Sequence, residues 1–404
     1  MNRIEFNKLS SLFESDRQNE ITKKILTDFD TIIQGVRPLN SKQLLKLPEN
    51  IKALSHQLTD QRSERRLGYM NDNLLLSSYV RYYTWWNLVR LTKLFSNLGN
   101  ECFPSKDCYC LDAGSGPLTV INALWLSRPE LRKLNLVWYC LDVSANSLSL
   151  GEDIYLSLVA KTSALSKTDE EIKPWKIIRV KGSFGTFIRE KCSFITCANL
   201  LNELDQASDL PPDFQSKKYY EEFKKYSSAD AKFLLIEPGI PKASRTLSLL
   251  RERFIKDKAT IHSPCTHFLQ CPMNGFKAYT GSSHKWCNFA FSTEDAPAKL
   301  LKLSEKSYLS KDRATLCFLA AEKTEPSKNK GFLIRIVSDS FSLPDKSFGF
   351  YGCSELGLTL VSIKEQIFKS GDLISIKIPD NYRLPKDSKS GAVVVKLEAS
   401  KTKK

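Results

Sequence analysis

Cys265, Cys271 and Cys287 lie in a segment that also holds His262, His267 and His284, HSPCTHFLQCPMNGFKAYTGSSHKWCNF. Three of the chain's 11 cysteines and three of its 4 histidines thus fall between positions 262 and 287. Thiolates and imidazoles are the donors that hold zinc and iron–sulfur centres, and core packing does not explain such a concentration of them. A metal site is the chemistry this segment points to. Its first pair is spaced C-x5-C and the third cysteine is distant, which departs from the C-x2–4-C pairs of zinc modules. Clustered thiolates also suit an iron–sulfur centre, and either group needs a fourth ligand.

A second candidate site lies upstream. YCLDAGSG, TVINALWLS and NLVWYCLDVS read as strand, glycine-rich turn, helix and strand. Ligands of open α/β sheets bind at the carboxyl ends of the strands, where the first turn lets the backbone come close. Asp112, Gly114 and Gly116 stand in that turn, and Asp142 ends the second strand, where a carboxylate accepts hydrogen bonds from the ribose hydroxyls of an adenosine cofactor. A dinucleotide requires GxGxxG to seat its pyrophosphate on a helix N-terminus. Here Pro117 follows the second glycine and Thr119 occupies the third glycine's place. S-adenosylmethionine has no pyrophosphate and tolerates this, and the element resembles motif I of the class I methyltransferases. Further on, CANLLNEL brings Asn199, Asn202 and Glu203 to the end of the fourth strand, which by the same resemblance is where methyltransferases line the cofactor's methionine end and the acceptor. Glu237 follows the fifth strand as a pocket-edge acid or a helix cap. No NPPY-type element and no cysteine placed as in cytosine-C5 enzymes is present, so no catalytic residue is assigned.

Three regions must position these groups. Residues 1–100 read as helical, most strongly over 71–98, where Tyr79, Tyr82, Tyr83, Trp85 and Trp86 mark a core helix capping the next domain, with Arg81, Arg90 and Lys93 free to face RNA. Residues 101–322 alternate strands with helix-length segments, the pattern of a doubly wound α/β domain, and carry the cysteine-rich insert at 262–291. After the polar break at 323–331, short strands over 330–400 suit a small β-barrel or sandwich, OB-like in kind. The final KTKK reads as a disordered basic tail.

The formal net charge of +15, spread along the chain, implies a polyanionic partner, RNA first. No apolar run approaches the roughly 20 residues that span a bilayer. Acids among the first residues speak against a targeting peptide, so a cytoplasmic protein with no membrane partner is expected, as a monomer. In that compartment the cysteines are not read as disulfides, and Cys102, Cys108, Cys110, Cys140, Cys192, Cys197 and Cys317 are expected in the core.

PCTHFLQCP and WCNF, in order with YYTWWNLVRLTKL, LDAGSGP, NLLNEL, IEPGIP and YGCSELG, resemble the mitochondrial and bacterial small-ribosomal-subunit methyltransferase-like family across about residues 65–375. The resemblance implies a class I methyltransferase fold with a seven-stranded sheet, S-adenosylmethionine as cofactor, and a place in ribosome assembly on the small subunit and its RNA. It also implies a [4Fe-4S] cluster held by Cys265, Cys271 and Cys287 together with Cys353 of the C-terminal module, which the cluster then pins to the α/β domain. Two departures stand out: the insert between Cys271 and Cys287 is longer than in some members, and WCNF replaces the commoner WCHF. Two alternatives stay open here: a zinc-stabilised RNA methyltransferase with His284 or Cys353 as fourth ligand, and an assembly factor without turnover.

Overall fold

The computed structural model describes residues 4–59, 69–166, 173–206, 208–276, 285–324, 332–378 and 384–398. His284 and the KTKK tail lie outside these residues.

The chain enters as a strand. Although residues 1–100 are expected to be helical, Glu5–Ser10 form β1, which pairs antiparallel with a strand from the far end of the chain. Helices α1 (Glu20–Thr27), α2 (Phe29–Val36) and α3 (Ser41–Thr59) follow. Asn19 caps α1 by accepting from the Thr22 N–H, and Ile25, Leu26, Phe29 and Ile33 form its buried stripe with α2. The aromatic stretch becomes α4 (Asn73–Tyr79), a π-turn at Val80–Thr84, and α5 (Trp85–Asn97). Tyr82, Trp85 and Trp86 are buried, and the two indole N–H groups donate to Leu26 O and Ser304 Oγ. The rings are therefore core, as the sequence suggests, and not a base-stacking platform.

The central domain runs β2 (Cys108–Ala113), α6 (Thr119–Ser127), β3 (Leu136–Asp142), α7 (Ala145–Leu165), β4 (Lys176–Lys181), β5 (Cys192–Ala198), α8 (Leu201–Gln206), α9 (Pro212–Tyr226), β6 (Ser227–Glu237), α10 (Pro241–Lys256), β7 (Thr260–Ser263), β8 (Phe289–Ser292), α11 (Ala298–Lys306) and β9 (Arg313–Glu322). The sheet order is β4-β3-β2-β5-β6-β9-β7, with β8 pairing β9 off this path. The first five strands are parallel, and β9 runs antiparallel to both its neighbours. Side chains alternate across it: Cys110 packs with the N-terminal helices, α6 and α7, while Leu111 and Ala113 pack with α9 and α10. Both faces are covered, which is why these strands read as near-continuous apolar runs. This is a doubly wound α/β fold.

The C-terminal strands are β10 (Phe332–Ile336), β11 (Phe341–Ser342), β12 (Phe348–Ser354), β13 (Gly357–Ile363), β14 (Leu373–Lys377) and β15 (Val393–Lys396). They order as β1-β14-β10-β12-β13-β15, with β11 on β12, around a core that includes Ile334, Phe350, Val361, Ile374 and Val395. No helix among the described residues is long and apolar enough to cross a membrane.

Candidate functional site

At the carboxyl end of β2 the chain turns through Gly114 (φ +70°) and Gly116 (φ +50°) before α6 begins. A Cβ on Gly114 would lie 2.9 Å from Leu200 Cβ, so both its backbone angle and its close approach call for glycine. The Gly114 and Ser115 N–H groups donate to Leu141 O, and the Gly116 N–H donates to Asp142 Oδ2 at 2.9 Å. Asp142 Oδ1 accepts from Ser144 N at 2.8 Å. Burial raises the pKa of Asp142, against the pull of these N–H donors.

Gly114, Gly116, Asp142, Asn199 and Glu203 line one cleft, as the sequence places them. Asn199 sits at φ +61° with its Oδ1 accepting from Arg90, whose guanidinium also bonds Asn87 Oδ1 and Thr315 O. Asp112 is brought to the turn but does not line the cleft. Its carboxyl is buried, accepts from Ser115 Oγ at 2.8 Å and Thr196 Oγ1 at 2.6 Å, and is pushed up to about 7 by burial. It holds the loop from beneath. Glu237 is fully buried and caps α8, accepting from the Leu201 and Asn202 N–H groups at 2.9 and 3.2 Å. Burial pushes it up to about 8 and the two donors pull it back.

The N-terminal region contributes four lining residues that sequence reasoning does not place at the site: Met70, Tyr79, Asn87 and Leu91. Nothing in their spacing distinguishes them from ordinary helix positions. Ser147 Oγ lies 3.7 Å from the Met70 sulfur, and Asn71 bonds Ser144 Oγ and Asn146 Nδ2. The free space in the cleft is about 60 Å3, against roughly 300–1,000 Å3 for sites that enclose a drug-sized ligand. The cleft as it stands is smaller than such a ligand, and the Met70 side chain lies beside Gly116 at its wall.

The cysteine segment leaves β7 and folds against the C-terminal sheet. Cys271, Met273 and Cys353 form a small buried cluster with Cys287 packed on it. Cys353 sits on β12, and His267 Nε2 lies 3.2 Å from its Sγ. Cys265 Sγ accepts from Arg251 Nε at 3.1 Å, and the same guanidinium donates to His267 O at 2.6 Å. A second buried arginine, Arg335, donates to Pro264 O and Gly371 O. Burial works to lower the Arg251 pKa, yet the sulfurs of Cys265, Cys271 and Cys353 hold it above its ordinary value. Burial raises the thiol pKa values of Cys271, Cys287 and Cys353. Of the four cysteines named from the sequence, Cys271, Cys287 and Cys353 thus pack together, while Cys265 packs against the core on the α9 and α10 side of the sheet. His262 does not join them and pairs with Glu322 at 2.8 Å. Among the described residues no group of three or more His, Cys, Asp or Glu is arranged to hold a metal ion.

The family model described as mitochondrial small ribosomal subunit Rsm22 matches residues 106–342 of this chain. The chain belongs to the Rsm22 family. The matched stretch contains the whole cofactor turn and three of the four cysteines; Cys353 lies beyond it. No curated protein matches the chain by sequence. Solved structures to which this Rsm22-family chain is similar include a precorrin-6y C5,15-methyltransferase from Geobacter metallireducens, at 10% identity over 56% of this chain and 84% of that one, TM-score 0.32. Others are a ribosomal protein L11 methylase from Lactobacillus delbrueckii, at 14% over 44% and 70%, TM-score 0.29, and a magnesium protoporphyrin IX methyltransferase from Synechocystis, at 12% over 61% and 92%, TM-score 0.27.

Proposed function

We propose that the protein is an S-adenosylmethionine-binding, methyltransferase-like factor that acts on the small ribosomal subunit and its RNA during ribosome assembly. The observation that carries this reading is the joined turn of Gly114, Gly116 and Asp142 at the carboxyl end of the parallel sheet, in a chain of the Rsm22 family. When bound, the cofactor supplies an electrophilic methyl group on a cationic sulfur. The chain's residues would seat it: the Gly114–Gly116 backbone allows close approach, Asp142 has lone pairs left for the ribose hydroxyls, and Asn199 and Glu203 face the methionine end. Asn199 is held by Arg90 and so presents a fixed edge to the acceptor side. No residue lining the cleft is assigned as a general base, so binding and turnover are separate questions. Equilibrium binding of S-adenosylmethionine, followed by transfer of radiolabelled methyl to small-subunit RNA, answers them in order. Saturable binding without transfer identifies an assembly factor, transfer identifies an enzyme, and no binding overturns the reading.

The same proposal places a [4Fe-4S] cluster on Cys265, Cys271, Cys287 and Cys353. Four thiols from two domains with two buried arginines beside them suit a group that carries net negative charge. Iron, sulfide and zinc content of anaerobically purified protein decides it. About four irons with a brown chromophore supports the cluster, whereas stoichiometric zinc without colour replaces it.

A further inference from the structure

A half-open groove lies apart from the cofactor cleft. It measures about 650 Å3 and lies among α2, α3, α5 and α11, with Ile33, Leu47 and Leu303 in its walls. Arg81 lines it while only 5% exposed. One end of its guanidinium donates to Gln34 Oε1 at 2.9 Å and to Arg37 O at 2.6 Å, but its buried Nε finds no partner. Buried donors are rarely left so. Arg81 also belongs to the π-turn at Val80–Thr84, a distortion that inside α-helices recurs at functional sites. Two exposed lysines of α11, Lys302 and Lys306, line the same groove, and its acid, Asp30, is already engaged by Lys299 at 3.0 Å. Apolar walls thus end in positive charge.

We propose that this groove binds a small amphipathic anion, an acyl chain ending in a carboxylate, with the head on Arg81 and the chain along Ile33, Leu47 and Leu303. RNA is the competing occupant, but a base needs an open ring face to stack on, and the aromatic residue of this groove, Trp85, is only 2% exposed. The inference does not depend on the cofactor or the cluster.

Calorimetric titration of the full chain with octanoate, decanoate and dodecanoate, each kept below its micellar concentration, tests it. The expected result is one saturable site whose affinity rises about four-fold per added methylene until the groove is full, then stops rising. Decanamide, which lacks the charge, binds at least ten-fold more weakly. Arg81→Gln weakens decanoate at least ten-fold, and the surface variant Lys302→Glu/Lys306→Glu, which leaves the core untouched, weakens it several-fold even where Arg81→Gln fails to fold. Absence of a saturable site, equal binding of decanamide, an unchanged affinity in the lysine variant, or displacement of decanoate by a single-stranded oligoribonucleotide overturns the proposal, the last in favour of an RNA site.

Discussion

The Gly116 N–H donates to Asp142 Oδ2 at 2.9 Å, so two sequence elements separated by a helix form one structural unit. The donor fixes the carboxylate and the carboxylate fixes the turn. Because each oxygen keeps a free lone pair, Asp142 can hold the loop and accept ribose hydroxyls together. Asp142→Asn turns one acceptor into a donor and is expected to weaken S-adenosylmethionine binding about 10- to 100-fold, the cost of one or two charge-assisted hydrogen bonds. Titration calorimetry checks it; an unchanged affinity removes Asp142 from the site.

Met70 gives a prediction of opposite sign. It takes up space in a cleft of about 60 Å3, beside Gly116 and 3.7 Å from Ser147 Oγ. Cofactor entry is expected to displace it. Met70→Ala is expected to tighten S-adenosylmethionine binding several-fold while leaving thermal stability near that of wild type. Weaker binding in the variant means that the thioether packs on the bound cofactor.

Asp112 sets a pH dependence. Its carboxyl has a folded-state pKa of about 7, raised by burial from an ordinary value near 4. Between these values the folded chain binds more protons than the unfolded chain, so stability falls as pH rises through that window. Its contribution is complete below about pH 4 and is lost above about pH 7. Asp112→Asn removes the titration and is expected to flatten the decline in Tm between pH 5 and pH 8 relative to wild type. Parallel melting curves across that range, with the variant as steep as wild type, would show that Asp112 is ionised throughout.

The cofactor turn is legible in sequence because its constraints are local. Gly114 and Gly116 stand at positive φ, and Asp142 follows a recognisable strand. Asp112 has the expected place but the opposite orientation, since Ser115 and Thr196 offer hydroxyls on the buried side. Glu237 is a helix cap, yet of α8 on the neighbouring strand's loop and not of the helix that follows it, a contact that only the sheet order creates. β1 carries no local signal either, because its partner β14 lies at the other end of the chain. Met70, Tyr79 and Asn87 enter the cleft from helices whose visible pattern is core packing. Cys353 is separable from seven other cysteines only by family resemblance, and the fold then brings it within 3.2 Å of His267.

Binding to small-subunit RNA is expected to be salt-dependent, given the net charge of +15. Log affinity should fall linearly with log salt concentration, with a slope of about −0.7 per phosphate contacted on single strands. Filter binding between 50 and 300 mM salt, about the range over which six contacts shift affinity by orders of magnitude, is sufficient. A flat response sinks the RNA assignment while leaving the cofactor cleft untouched.

The proposed cluster and the pairing of the termini together predict a graded release of the C-terminal sheet. Cys353 on β12 faces Cys265, Cys271 and Cys287 across the boundary between the sheets, so a cluster there ties β12 to the α/β domain. A second tie is independent of metal: β1 pairs with β14 and leads directly into α1, whose Ile25 and Leu26 are buried in the main core. Removing the cluster by chelation, or preventing its assembly with Cys353→Ser, should therefore loosen the sheet around the interior strand β12 and not free the module. Hydrogen exchange is expected to accelerate in β12 and over 265–273, while β1 and β14 stay protected. Cys353→Ser should also purify with little iron and a Tm several degrees lower. If β1 and β14 exchange as fast as β12 after chelation, metal is the dominant tie. If neither changes, the pocket around Cys271 and Cys353 is held by packing alone.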